Sequence, residues 1–96
     1  MNYQANTYKR VSTDGIIKTG PGFLHSIVIQ QGDALPTAGQ IKIFDALNSA
    51  GSAIFQEEIL AATFSPYSIV LDFEFTTGLY IDFITVADVP VTICYS

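Results

Sequence analysis

Asp14-Gly15-Ile16-Ile17-Lys18-Thr19-Gly20-Pro21-Gly22-Phe23-Leu24-His25-Ser26-Ile27-Val28-Ile29-Gln30 is two apolar runs hinged on a glycine-proline knot. Gly20 and Gly22 can take positive φ without steric cost and Pro21 fixes its own φ, so Thr19 to Gly22 predicts a tight reversal between two strands. Beyond the knot, Phe23, His25, Ile27 and Ile29 alternate with Leu24, Ser26, Val28 and Gln30, the period of two that marks a strand. Both of its faces are largely apolar, which places this strand deep in a sandwich.

Outward from that stretch the same punctuation repeats. Upstream, Tyr8 to Val11 reads as a brief edge strand and Ser12-Thr13-Asp14-Gly15 as a turn, with Asp-Gly a hairpin signal. Met1 to Thr7 is a polar arm with one aromatic, Tyr3; the domain proper is read as residues 8–96. The arm has neither the apolar run nor the cleavage site of a signal peptide. Downstream, Gln31 to Gly39 has loop composition, Gln40 to Asp45 resumes a strand, and Asp45 to Ser52 is a second loop. Ala53 to Glu58 is a short strand, whereas Ile59 to Phe64 is ambiguous between a helical turn and an extended segment before Pro66.

The last third is the most strongly β. Ile69, Leu71, Phe73 and Phe75 share one face of a strand and Val70, Asp72 and Glu74 the other. Thr76-Thr77-Gly78 turns the chain, Leu79 to Val86 returns, Ala87-Asp88 turns it again, and Val89 to Tyr95 completes the last strand. Seven to eight short strands between turns predict an all-β fold, an antiparallel β-sandwich or jelly roll.

Composition narrows the functional classes. Ninety-six residues with 49% hydrophobic make one domain, and a mean hydropathy of +0.37 is high for a small chain without staples. No stretch approaches the roughly 20 apolar residues of a membrane-spanning helix, so the excess apolar surface belongs in a core or in a homo-oligomeric interface. The net charge of -5 argues against nucleic acid, because phosphate binding needs clustered bases and only Lys9, Arg10, Lys18 and Lys42 are present. Lys9-Arg10 reads as a solvated strand edge or an intersubunit contact.

Catalytic chemistry finds little to work with. Cys94 is single, so no internal disulfide forms, and it reads as a buried inert thiol. His25 and Cys94 lie on separate strands, and together they are too few for a structural zinc site. Glu57 and Glu58 are neighbours in a strand and point to opposite faces. Asp72 and Glu74 share a face, which Asp82 can join across the Thr76 to Gly78 turn. Such a trio fits calcium or a solubilising surface, and the second is preferred. Tyr3, Tyr8, Tyr67 and Tyr95 fit a protein interface first, the core second and a sugar-stacking platform third. No catalytic, cofactor-binding or metal-ligating residue is assigned, and no cofactor is expected.

Gly15-Ile-Ile-Lys-Thr-Gly-Pro-Gly-Phe-Leu-His25, Ile41-Lys-Ile-Phe-Asp45 leading into Asn48-Ser-Ala-Gly51, Phe73-Glu-Phe-Thr-Thr-Gly-Leu79 and Asp88-Val-Pro-Val-Thr92 together resemble small virion proteins of tailed bacteriophages. The resemblance covers roughly Gly15 to Tyr95 and rests on turn and core signatures. It implies a β-sandwich that decorates or cements a capsid, without an active site to carry over. The expectation that follows is a non-enzymatic structural protein, assembled in the host cytoplasm onto the virion, that binds the major capsid protein as a homo-oligomer such as a trimer. On that reading Tyr3, Tyr8, Lys9, Arg10 and Tyr67 form the partner interface. A tail- or fibre-associated module binding a host-surface glycan is the alternative.

Overall fold

The computed structural model describes residues 7–30, 37–59, 66–86 and 89–96. Among them are eight strands: β1 (Thr7–Val11), β2 (Gly15–Thr19), β3 (Gly22–Ile29), β4 (Gly39–Phe44), β5 (Phe55–Ile59), β6 (Tyr67–Phe75), β7 (Gly78–Ile84) and β8 (Val91–Tyr95). They form two four-stranded antiparallel sheets, ordered β1-β8-β3-β6 (sheet A) and β2-β7-β4-β5 (sheet B). This is a β-sandwich with jelly-roll strand order. The pairs β1:β8, β2:β7, β3:β6 and β4:β5 nest inside one another, as if one long antiparallel ribbon had been rolled up. Contacts β3:β8 and β4:β7 then close each sheet.

The rolled topology changes what the turns do. Asp14-Gly15, Thr19 to Gly22 and Thr76 to Gly78 each read as a reversal between strands of one sheet, and each instead carries the chain from one sheet to the other. Among the strands of the described residues, only β4 and β5 are consecutive in the chain and paired in space. Turn residues report that the chain bends; they do not report which strand it will pair with afterwards. The glycines of the knot also divide their work. Gly20 has φ +90° and donates its N–H to the Thr77 carbonyl at 3.0 Å, while Gly22 is required by close approach: a Cβ there would run into the Ser96 carbonyl and, at 2.6 Å, the Phe75 ring.

The core follows from the apolar faces of the inner strands. Ile27 and Ile29 of β3, Ile41 and Ile43 of β4, Leu79 and Ile81 of β7, and Val91 and Ile93 of β8 are all completely buried. Each such side chain stabilises the fold by about 1.5–3 kcal/mol on burial. Among the described residues no polar or charged side chain is buried. Leu24 joins this core although strict alternation sets it on the face opposite Ile27. A register shift between Leu24 and Ser26, against both β6 and β8, turns Leu24 inward, with Asp72 at φ +54° in the facing segment of β6.

β1 begins at Thr7, one residue into the segment read as an arm, and pairs along β8 from Thr7↔Tyr95 to Val11↔Val91. Tyr3, most of the Gln31 to Gly39 loop, the ambiguous segment after Ile59 and the Ala87-Asp88 turn lie outside the described residues. Among the described residues no helix is long and apolar enough to cross a membrane.

Candidate functional site

Of the residues read as a partner interface, Tyr3 lies outside the described residues and the other four fall on two edges of sheet A. Tyr8, Lys9 and Arg10 are exposed on β1; Tyr67 lies on β6, at the other side of the same sheet. Tyr8 stands opposite Cys94 in the β1:β8 ladder. A hydrogen bond between the Tyr8 hydroxyl and Cys94, then the electrostatic influence of that side chain and lost hydration, raise the phenol above its ordinary range. Cys94 is a free, buried cysteine.

Tyr67 closes the opposite flank. Burial, then the charge of Glu57 and a hydrogen bond to it, push its phenol up to about 12. Glu57 belongs to β5, so this contact joins the edge strands of the two sheets. Tyr95 packs against the core. With Tyr8 and Tyr67 at opposite edges and Tyr95 turned inward, these three do not assemble the sugar-stacking platform considered from sequence.

The three acids expected on one surface are also separated. Asp72 and Glu74 lie on β6 in sheet A, but Asp82 lies on β7 in sheet B, because the turn between them crosses the sandwich. Asp82 stands opposite Lys42 in the β4:β7 ladder and finds Asp14 instead. Burial, followed by the hydrogen bond and charge of Asp14, raises the Asp82 carboxyl, while Lys42 pulls it the other way. Asp14 Oδ1 in turn accepts the Phe83 N–H at 2.6 Å. Among the described residues no group of three or more His, Cys, Asp or Glu side chains is placed to hold a metal.

Asp45 is held by four donors. Its carboxylate accepts the N–H groups of Thr76 (3.0 Å), Thr77 (2.8 Å) and Gly78 (3.4 Å), and the Thr76 hydroxyl at 3.2 Å. Partial burial acts to raise this carboxyl, but the donors outweigh it and leave Asp45 below the ordinary aspartate range. The interaction ties the end of β4 to the crossing between β6 and β7. His25 is occupied locally: Nε2 lies 3.1 Å from Ser96 Oγ and the ring packs 4.8 Å from that of Phe23.

One open groove of about 530 Å³ lies over sheet B, where Lys42, Gln56 and Asp82 supply polar walls and Phe44, Ile54 and Phe55 apolar ones. Neither His25 nor Cys94 lines it. The groove gathers hydrogen-bonding groups beside the apolar side chains of Ile54 and Phe55.

Sequence reasoning missed two features, the Asp14–Asp82 contact and the Asp45 cage. Both need the nested pairing, which sets the start of β2 beside β7 and the end of β4 beside the start of β7.

Together these observations define an eight-stranded jelly-roll sandwich whose distinctive groups sit on its edges and on one open face. No protein-family model, no curated protein and no solved structure matches the chain.

Proposed function

We propose that this chain is a non-enzymatic structural virion protein, a capsid decoration (cement) protein that binds the outer surface of a phage head as a homo-oligomer. The observation that carries the reading is the jelly-roll strand order, since this architecture recurs in viral shells and lectins. The likeness of fold is joined by the resemblance of the turn and core signatures to bacteriophage virion proteins. The exposed side chains of Tyr8 and Val70, 69% and 76% accessible, suit contacts spread over a broad surface.

The arm that precedes β1 is assigned to the shell contact. Deletion through residue 10 would remove four of the five residues of β1, so the informative truncation removes residues 1–6. Wild-type protein mixed with undecorated capsids is expected to co-sediment in stoichiometric amounts, and the truncated chain to remain in the supernatant. Wild-type protein left in the supernatant would overturn the decoration reading; a truncated chain that still sediments would overturn the arm assignment.

The groove over sheet B favours one second reading, a tail- or fibre-associated module binding a host-surface glycan. Glycan-array binding that is lost on Gln56→Ala would support it, and a silent array would remove it.

A further inference from the structure

We propose that copies of this chain associate head to tail, the β1 edge of one against the β5/β6 flank of the next, closing into a ring. The inference rests on the homo-oligomeric part of the reading above and names the surfaces that would make it.

The strands of the two flanks carry opposite charge, with Asp14 of the β1–β2 connection turned to the Phe83 N–H and Asp82. β1 and β2 are joined by three residues and so lie on one side; the Tyr67–Glu57 contact holds β6 and β5 together on the other. β1 and β2 contain Lys9, Arg10 and Lys18 and no acid, whereas β5 and β6 contain Glu57, Glu58, Asp72 and Glu74 and no base. Lys18 is engaged within the chain, its Nζ lying 5.9 Å from the centre of the Phe75 ring. Lys9 and Arg10 are exposed, as are Glu58, Asp72 and Glu74.

Apolar surface follows the same division. Among the described residues, Tyr8 and Val70, at 69% and 76% accessible, are the two most exposed large hydrophobic residues. They stand at the two ends of one cross-strand row, Tyr8↔Cys94↔Ser26↔Val70, and so on the same face of sheet A. A head-to-tail contact continues that row from Val70 of one copy to Tyr8 of the next. Each apolar end is bordered by charges of opposite sign.

This complementarity selects a second copy of the chain as the occupant. A two-fold contact would set base against base or acid against acid; a head-to-tail contact sets each against its opposite. The register shift at His25 and the positive φ of Asp72 interrupt the β6 edge, so the contact is made by side chains and not by strand addition.

The test uses the isolated protein, so failure of self-association and failure of capsid binding are read separately. Light scattering of the wild type is expected to give one discrete oligomeric mass that dissociates more readily as salt is raised. Reversal at one flank (Lys9→Glu with Arg10→Glu) or at the other (Glu58→Lys with Glu74→Lys) should weaken association by about tenfold or more. All four substitutions in one chain should restore the wild-type mass. Arg10→Gln gives a milder check, and melting curves confirm that each variant is folded. A monomeric wild type, a mass that neither reversal changes, or a combined chain that stays dissociated would each overturn the proposal.

Discussion

At the residue scale, Asp45 shows how one carboxylate can hold a crossing in place. The turn Thr76-Thr77-Gly78 leaves sheet A and enters sheet B, and its N–H groups point away from either ladder as it does so. Asp45 satisfies three of them together with the Thr76 hydroxyl. Its pKa is lowered in the fold, so the stabilisation is present above the unfolded aspartate value of about 3.9 and is lost as pH falls through the lower folded value. Asp45→Asn keeps one acceptor oxygen and loses the charge. It is expected to destabilise the protein at neutral pH by about 1 kcal/mol, discounted for solvent exposure. The gap between variant and wild type should narrow below pH 4, and thermal melts across pH 3 to 7 would show it. A gap independent of pH would mean that the charge is not what the turn needs.

At the scale of elements, strand existence was legible in the sequence and strand partnership was not. Alternation in Ser68 to Phe75 and in Leu79 to Val86 located β6 and β7, yet the turn between them read as a hairpin and so brought Asp82 to Asp72 and Glu74. Period two reports faces within a strand, whereas the partner is set by the closing of the whole ribbon. The shift at His25 was equally hidden, because both phases of β3 are apolar and alternation alone gives no reason to break the register. The candidate site was legible only as residue types: the exposed β1 bases were found, but their opposition to an acidic flank needs the sheet order. Asp82, placed correctly against Asp14 and Lys42, carries its own consequence. A raised carboxyl favours its protonated form in the fold, so the associated stability is present at acid pH and is lost as pH rises through the folded value. Asp82→Asn removes that loss. The variant should be more stable than wild type at pH 7, by about 0.5 kcal/mol after screening by solvent, and should have no advantage near pH 3. Denaturant midpoints at the two pH values test this, and a variant less stable at pH 7 would show that the Asp82 charge is worth more to Lys42 than it costs beside Asp14.

At the scale of the whole molecule, nested pairing makes the fold depend on strands distant in sequence. β8 is the last strand in the chain and yet lies between β1 and β3, so it completes sheet A from within. Val91 and Ile93 are completely buried, and together their burial stabilises the fold by about 3–6 kcal/mol, a large part of the roughly 5–15 kcal/mol that holds a domain folded. Backbone bonds extend the dependence, since β8 pairs along its length with both neighbours and Ser96 exchanges two further bonds with Phe23, each at 2.9 Å. Removing residues 91–96 therefore strips β1 of the strand it pairs with and exposes one side of β3. The truncated chain is expected to lose cooperative unfolding altogether, read as a flat calorimetric trace, whereas removal of residues 1–6 should leave a single transition. A cooperative transition in the chain lacking residues 91–96 would show that sheet B with β3 and β6 is a folding unit by itself, and that the rolled ribbon is assembled from a stable half instead of closing as one.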